Sequence, residues 1–290
     1  MAVHSTSKSS SGSVRLKLCW YALIALALAV SVMTGILALD IRTLGIICLC
    51  LVCELVDSSL GMGYGTTLTP LLLAFGFEPL QLVPTILVSE LFSGFAAYAF
   101  HHESGNVSVA KNSVHRRVAI VLSVCSLAGV ALGVRLAFAL PKTVLVRLIA
   151  TVIVIAGVFI LWTRGRHAEF RTWKLVLLGS VASFNKALSG GGYGPLMTSG
   201  QILCGIPGRA AVALTSLAEG FTCLAGAGLF LLMGERLDPA LLVPVLTGAL
   251  ASVPLSAGIV RRVPEHALGK AIGWATVLLG SFAFLRSLHG

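Results

Sequence analysis

Glu90 and Glu219 stand 129 residues apart, and each lies about ten residues into a long apolar run. If those runs cross a membrane, both carboxyls sit near its midplane. A carboxyl at that depth is costly when ionised and is a natural proton carrier in a transporter. The alternative is a protonated strut that donates a hydrogen bond between helices. Lys186 is a third group of this kind, four residues ahead of Gly190, and Asp57 holds the same place ahead of Gly61. An ammonium this deep either faces a bound anion or pairs with Asp57 or Glu54 and locks the structure.

The glycines that follow these two charged residues form a repeated phrase. Gly61-Met62-Gly63-Tyr64-Gly65 returns as Gly190-Gly191-Gly192-Tyr193-Gly194. Glycine weakens a helix more than any residue but proline, so each phrase predicts a break in an apolar segment. Broken backbone at membrane depth survives only where protein covers it or where it lines a watery cavity. Short helices are predicted to restart at about Thr66 and Pro195, with free N–H groups and a positive dipole end that suit an anion. Substrate-binding candidates are therefore Gly63, Tyr64, Gly65, Thr66 and Thr67 in the first break. Lys186, Gly191, Gly192, Tyr193 and Gly194 are their counterparts in the second, with Glu90 and Glu219 as proton-coupling candidates. The bland reading of such glycines is close helix packing, which suits the scattered Gly129 and Gly133.

Other reactive residues point nowhere in particular. Cys48, Cys50 and Cys53 cannot converge on a metal from one helix, because positions two apart face nearly opposite sides. They read as small packing residues, and no metal or other cofactor is expected. His101, His102 and Glu103 fall at the end of an apolar run and read as solvated interface residues. The chain has no His-Glu-x-x-His, no nucleophile motif and no phosphate-binding Gly-x-x-x-x-Gly-Lys-Ser/Thr, so it is not expected to be an enzyme or to use ATP directly.

The elements that must position these residues follow from composition. Of 290 residues, 57% are hydrophobic and 11% charged, and the mean hydropathy is +0.95. Soluble domains carry about 25% charged residues, so this is a multi-pass membrane protein. Spans are predicted at 18–39, 79–100, 118–138, 143–163, 210–234, 239–260 and 267–285, with broken segments at about 43–77 and 175–208. The net charge of +10 lies in short loops between spans, where it sets topology and does not recruit nucleic acid. Residues 1–17 read as a disordered cytoplasmic start and 18–39 as an additional, retained span.

The chain is written twice. At the offset of 129, Thr69 meets Thr198, Gly76 meets Gly205, Val83 meets Val212, and Phe92 meets Phe221. Residues 43–163 and 173–290 are thus two membrane repeats, each a glycine-broken segment followed by three spans. If the broken segments are re-entrant, the repeats are inverted. With the N-terminus cytoplasmic, the Lys and Arg other than the membrane-embedded Lys186 then divide 14 inside to 6 outside; if the segments cross, the division is 10 to 10. The positive-inside rule selects the inverted arrangement. The arm at about 43–60 is nearly long enough to span and fits this arrangement only with tilt or unwinding.

The doubled phrase, with Pro70-Leu71-Leu72 and Gly76 after the first copy and Gly205-Ile206-Pro207 after the second, resembles the TauE/SafE sulfite exporter family. The resemblance covers about residues 43–285. It implies an all-α permease with two related halves in the cell membrane, moving a small anion such as sulfite or an organosulfonate, with the substrate at the glycine breaks. Met62 and Tyr64 interrupt the family's triple glycine in the first repeat, and Tyr193 follows it in the second. Two other classes remain: an anion channel using the same helix ends, and, more remotely, an intramembrane enzyme. Expected partners are the anion and the bilayer, not nucleic acid; oligomeric state, homo-oligomer included, stays open.

Overall fold

The computed structural model describes residues 7–35, 40–61, 63–107, 114–163, 172–203 and 206–259, plus 274, 277, 278, 280–282, 284, 285 and 288. Among these there are ten complete helices and no strand. They are α1 (Ser7–Met33), α2 (Ile41–Leu60), α3 (Tyr64–Ala74), α4 (Pro79–Glu103), α5 (Val114–Ala139), α6 (Lys142–Thr163), α7 (Thr172–Ser189), α8 (Tyr193–Leu203), α9 (Gly208–Leu232) and α10 (Pro239–Ile259). Six of them are long and apolar enough to cross a membrane: α2, α4, α5, α6, α9 and α10. The first helix starts at Ser7, inside the stretch read as disordered, and ends at Met33 rather than 39. The last predicted span lies mostly outside the described residues.

The broken segments are hairpins. A groove between α2 and α3 is lined by Ile41, Gly45 and Leu49 from the start of α2 and by Leu71 and Phe75 from the end of α3. The two arms therefore run side by side in opposite directions. In the second repeat a Cβ on Gly200 would sit 2.6 Å from Leu178 Cδ1. Collinear arms would put those residues roughly 30 Å apart. Each segment thus returns toward the side from which it started, and the 20-residue α2 is accommodated as one arm of a hairpin.

The repeats exchange partners. Arm α2 of the first repeat packs on α10 of the second, α7 of the second packs on α5 of the first, and the equivalent helices α4 and α9 pack on each other. Small residues permit the contact: a Cβ on Gly133 would lie 2.6 Å from the Phe184 carbonyl oxygen, and one on Gly248 would lie 2.8 Å from Cys50 Cβ. Gly129 and Gly133 are packing residues, as read from the sequence. Helices α4 and α9 are antiparallel. Gln81 Nε2, near the start of α4, donates to Asp238 Oδ2 just beyond α9 at 2.8 Å, while a Cβ on Gly94, further along α4, would meet the Ser216 carbonyl early in α9 at 2.9 Å. Equivalent helices that oppose one another are what an inverted pair of repeats produces.

Candidate functional site

The charged residues and the helix breaks are one local structure. Helix α2 stops because Gly61 turns left-handed at φ 68° and its N–H closes on the Asp57 carbonyl at 2.5 Å. Helix α7 stops in the same way: Gly190 has φ 72° and its N–H reaches the Lys186 carbonyl at 2.8 Å. L-residues rarely adopt these angles, which explains the glycine. The residue four positions before the cap is thereby placed at the edge of each break, and it is the charged one.

The two breaks cross in backbone contact. A Cβ on Gly65 would fall 2.6 Å from Gly191 Cα, and one on Gly191 would fall 2.5 Å from the Gly65 carbonyl carbon and 2.7 Å from the Thr66 nitrogen. These two glycines let the halves meet. The short helices begin at Tyr64 and Tyr193, two residues before the predicted starts.

At this crossing lies a cluster of five ionisable side chains, none more than 7% exposed: Glu54, Asp57, Glu90, Lys186 and Glu219. The Lys186 ammonium donates to Glu219 Oε1 at 2.8 Å and pairs as well with Glu90 Oε2. Neither of the partners considered from sequence, Asp57 or Glu54, is the one it takes. Antiparallel α4 and α9 bring the two symmetric glutamates to one point, and α7 delivers the ammonium between them. Carboxylate oxygens of Asp57, Glu90 and Glu219 lie within 4.8 Å of one another, a spacing that suits a cation. The ammonium already supplies one. With four carboxyls to one ammonium, full ionisation would leave surplus negative charge buried in the protein, so the cluster calls for protons or another cation.

Asp57 is held in place: its Oδ1 accepts the Tyr64 N–H at 3.3 Å, at the start of α3. The protein's own carboxylate therefore occupies the helix end that looked ready for an anion in the first repeat. Its counterpart in the second repeat is Lys186, so the duplication carries a charge reversal at this position. Glu54 Oε1 accepts from Ser58 Oγ at 2.6 Å.

Of the other candidates, Tyr64 and Tyr193 are fully buried. The Tyr64 hydroxyl shares a hydrogen bond of 2.9 Å with Ser89, and the Tyr193 hydroxyl lies beside the Ser126–Thr222 pair. The Tyr64 ring thus ties its break to α4, whereas the Tyr193 hydroxyl is buried without a hydrogen-bond partner among the described residues. The Thr66 hydroxyl is buried without a hydrogen-bond partner among the described residues. Thr67 is half-buried, and its N–H closes on the Gly63 carbonyl at 3.0 Å. Gly63 caps α3 at φ 133°, Gly192 has φ 78° with the Asn185 amide against it, and Gly194 is buried in the first turn of α8.

His101 corrects a sequence expectation. It is fully buried, with Nε2 2.9 Å from the Ser58 carbonyl oxygen and Nδ1 2.9 Å from Asn106 Nδ2. Since a carbonyl only accepts, Nε2 carries the proton, and the ring clamps the end of α2 to α4. His102 and Glu103 are exposed, as expected. Cys50 and Cys53 are buried packing residues, while Cys48 is exposed. Asp57 and Glu54, considered from the sequence only as partners of Lys186, belong to the site, and their spacing of three puts both on one helix face. Ser89, Thr198, Thr215 and Gln201 also stand here, and they carry no charge that would mark them in the sequence.

A family model described as sulfite exporter TauE/SafE matches residues 46–283. A probable membrane transporter protein of Bacillus subtilis, YtnM, is 27% identical over 245 residues, spanning 80% of this chain and 79% of the relative. No solved structure matches.

Proposed function

The chain belongs to the TauE/SafE sulfite exporter family and is a multi-pass membrane transporter; from that premise we propose that it is a secondary permease for a small anion such as sulfite or an organosulfonate, coupled to protons. The observation that carries the reading is the Lys186 ammonium shared between Glu90 of one repeat and Glu219 of the other. While both carboxylates are ionised, they hold the only buried cation among the described residues of the cluster. A proton added to either one removes a competitor for the ammonium, and an anion can take that place. Anion binding and proton uptake are then one event, which is the requirement for coupling.

In this reading the Thr66 hydroxyl and the backbone around Gly63 and Gly192 supply further hydrogen bonds to the anion's oxygens. Tyr64 and Tyr193 position the breaks. The antiparallel α4–α9 pair and the two hairpins support inverted repeats; among the described residues three long apolar helices follow the first hairpin and two follow the second. The positive-inside rule then places the N-terminus in the cytoplasm.

The test is uptake into proteoliposomes of sulfite, sulfoacetate, sulfate and a carboxylate, with and without an imposed pH gradient. At least one sulfur oxyanion is expected to accumulate several-fold with the gradient, and accumulation should collapse when a protonophore is added. Flux indifferent to the gradient would make the protein a channel, and movement of the carboxylate alone would overturn the substrate class.

A further inference from the structure

The repeats coincide at Thr69 and Thr198 and at Gly61 and Gly190, yet only one of two equivalent hydrogen bonds is made. Thr198 Oγ1, on α8, donates to the Gly61 carbonyl at 2.7 Å, joining the second broken segment to the cap of the first. The same hydroxyl lies 3.0 Å from Thr215 Oγ1, which accepts from Gln201 Nε2 at 2.8 Å. In the other repeat the Thr69 hydroxyl is fully buried and lies against Gly190, where a Cβ would be 3.2 Å away. It has no hydrogen-bond partner among the described residues. Sequence departs from the duplication at the same place. The positions equivalent to Thr215 and Gln201 are Ile86 and Leu72, both buried and apolar.

A buried hydroxyl without a partner is costly, so Thr69 needs an explanation. We propose that Thr198–Gly61 and Thr69–Gly190 are two exchanging latches, one closed in each of two conformations of the transporter. The equivalent helices α4 and α9 are antiparallel, as in inverted repeats, so a motion that gives the first repeat the geometry of the second also does the reverse. In the alternate conformation Thr69 donates to the Gly190 carbonyl and Thr198 releases Gly61. The required travel is small, because Thr69 already rests on Gly190. Thr215 and Gln201 orient the Thr198 hydroxyl and weight the equilibrium toward the conformation described here; Ile86 and Leu72 give the other latch no such support. The inference rests on the chain being an alternating-access carrier, and it is independent of the anion and of the coupling ion.

The test is access of a membrane-impermeant thiol reagent to the interior from each face. In a background lacking the seven native cysteines, Ser93→Cys, buried on α4, serves as the reporter. Thr198→Val removes the closed latch and is expected to raise labelling from one face about five-fold and lower it from the other, the size of one buried hydrogen bond. Thr69→Val removes a bond made only in the alternate conformation and should shift labelling the opposite way. Equal-direction shifts, or no shift in either variant, overturn the proposal. Because the cysteine-free background can fail to fold, hydrogen exchange is also compared in the natural-cysteine protein. Opposite changes in α3 and α8 between the two variants support the latches, and matching changes overturn them. No substrate or pH gradient enters either measurement, so failure here leaves the anion reading standing, and the reverse also holds.

Discussion

Lys186 and Glu219 lie 33 residues apart in sequence and 2.8 Å apart in space, Nζ to Oε1, both sealed from solvent. Glu90, the repeat-mate of Glu219, holds the same ammonium from the opposite half of the protein. One cation thus joins the two copies of a duplicated chain at the point where their helix breaks cross.

Removing that cation should harm both stability and function, in separable ways. Breaking a buried pair by deleting one partner typically costs about 3–5 kcal/mol, because the other charge is left uncompensated. Lys186→Gln is therefore expected to lower the melting temperature in detergent and to abolish anion uptake. Adding Glu219→Gln should recover much of the melting temperature and none of the uptake. Recovery of both would take Lys186 out of the binding site.

Substituting the glutamates should separate coupling from translocation. Glu→Gln imitates the protonated carboxyl, so Glu219→Gln is expected to lose uptake driven by a pH gradient. Exchange of labelled for unlabelled anion should persist, since that cycle need not change protonation. Glu90→Gln should show a smaller loss, because Glu219 shares its repeat with Lys186. Normal gradient-driven uptake in both variants and in the double variant would reduce the glutamates to struts.

The crossing glycines are expected to tolerate no side chain at all. Gly191→Ala puts a methyl 2.5 Å from the Gly65 carbonyl carbon, with backbone on both sides. Overpacking of this kind costs about 1–3 kcal/mol or more. Gly191→Ala and Gly65→Ala should each lower the yield of monodisperse protein and the melting temperature. Gly228→Ala, where a Cβ meets nothing within 4 Å, should change neither. Similar behaviour of all three would mean that the breaks do not touch.

Sidedness follows from the antiparallel pairing of α4 and α9. A single cysteine at Asn106, after α4, and one at Asp238, after α9, are expected to label from opposite faces of the membrane, Asn106 from the cytoplasm. Gln81→Cys should label from the same face as Asp238→Cys, because Gln81 Nε2 reaches Asp238 Oδ2 at 2.8 Å. Labelling of Asn106 and Asp238 from one side would overturn the inverted arrangement.

By itself the sequence determined the class of the protein. Long charge-free runs can only be membrane helices, because nothing else hides so much apolar surface or satisfies the backbone in lipid. The constant offset of 129 exposed the duplication, and paired glycine phrases located the breaks within two residues. These are local properties, readable from composition and spacing. The identity of the partner of Lys186 was not of that kind. Asp57 and Glu54 were the natural candidates by position. The choice of Glu90 and Glu219 depends on two hairpins folding back and on α4 meeting α9 head to tail, a relation no spacing encodes. Burial of His101, seating of the two tyrosine hydroxyls and the single Thr198–Gly61 bond are likewise tertiary outcomes. Each depends on which distant atom is packed against a side chain, and only the packed structure places that atom.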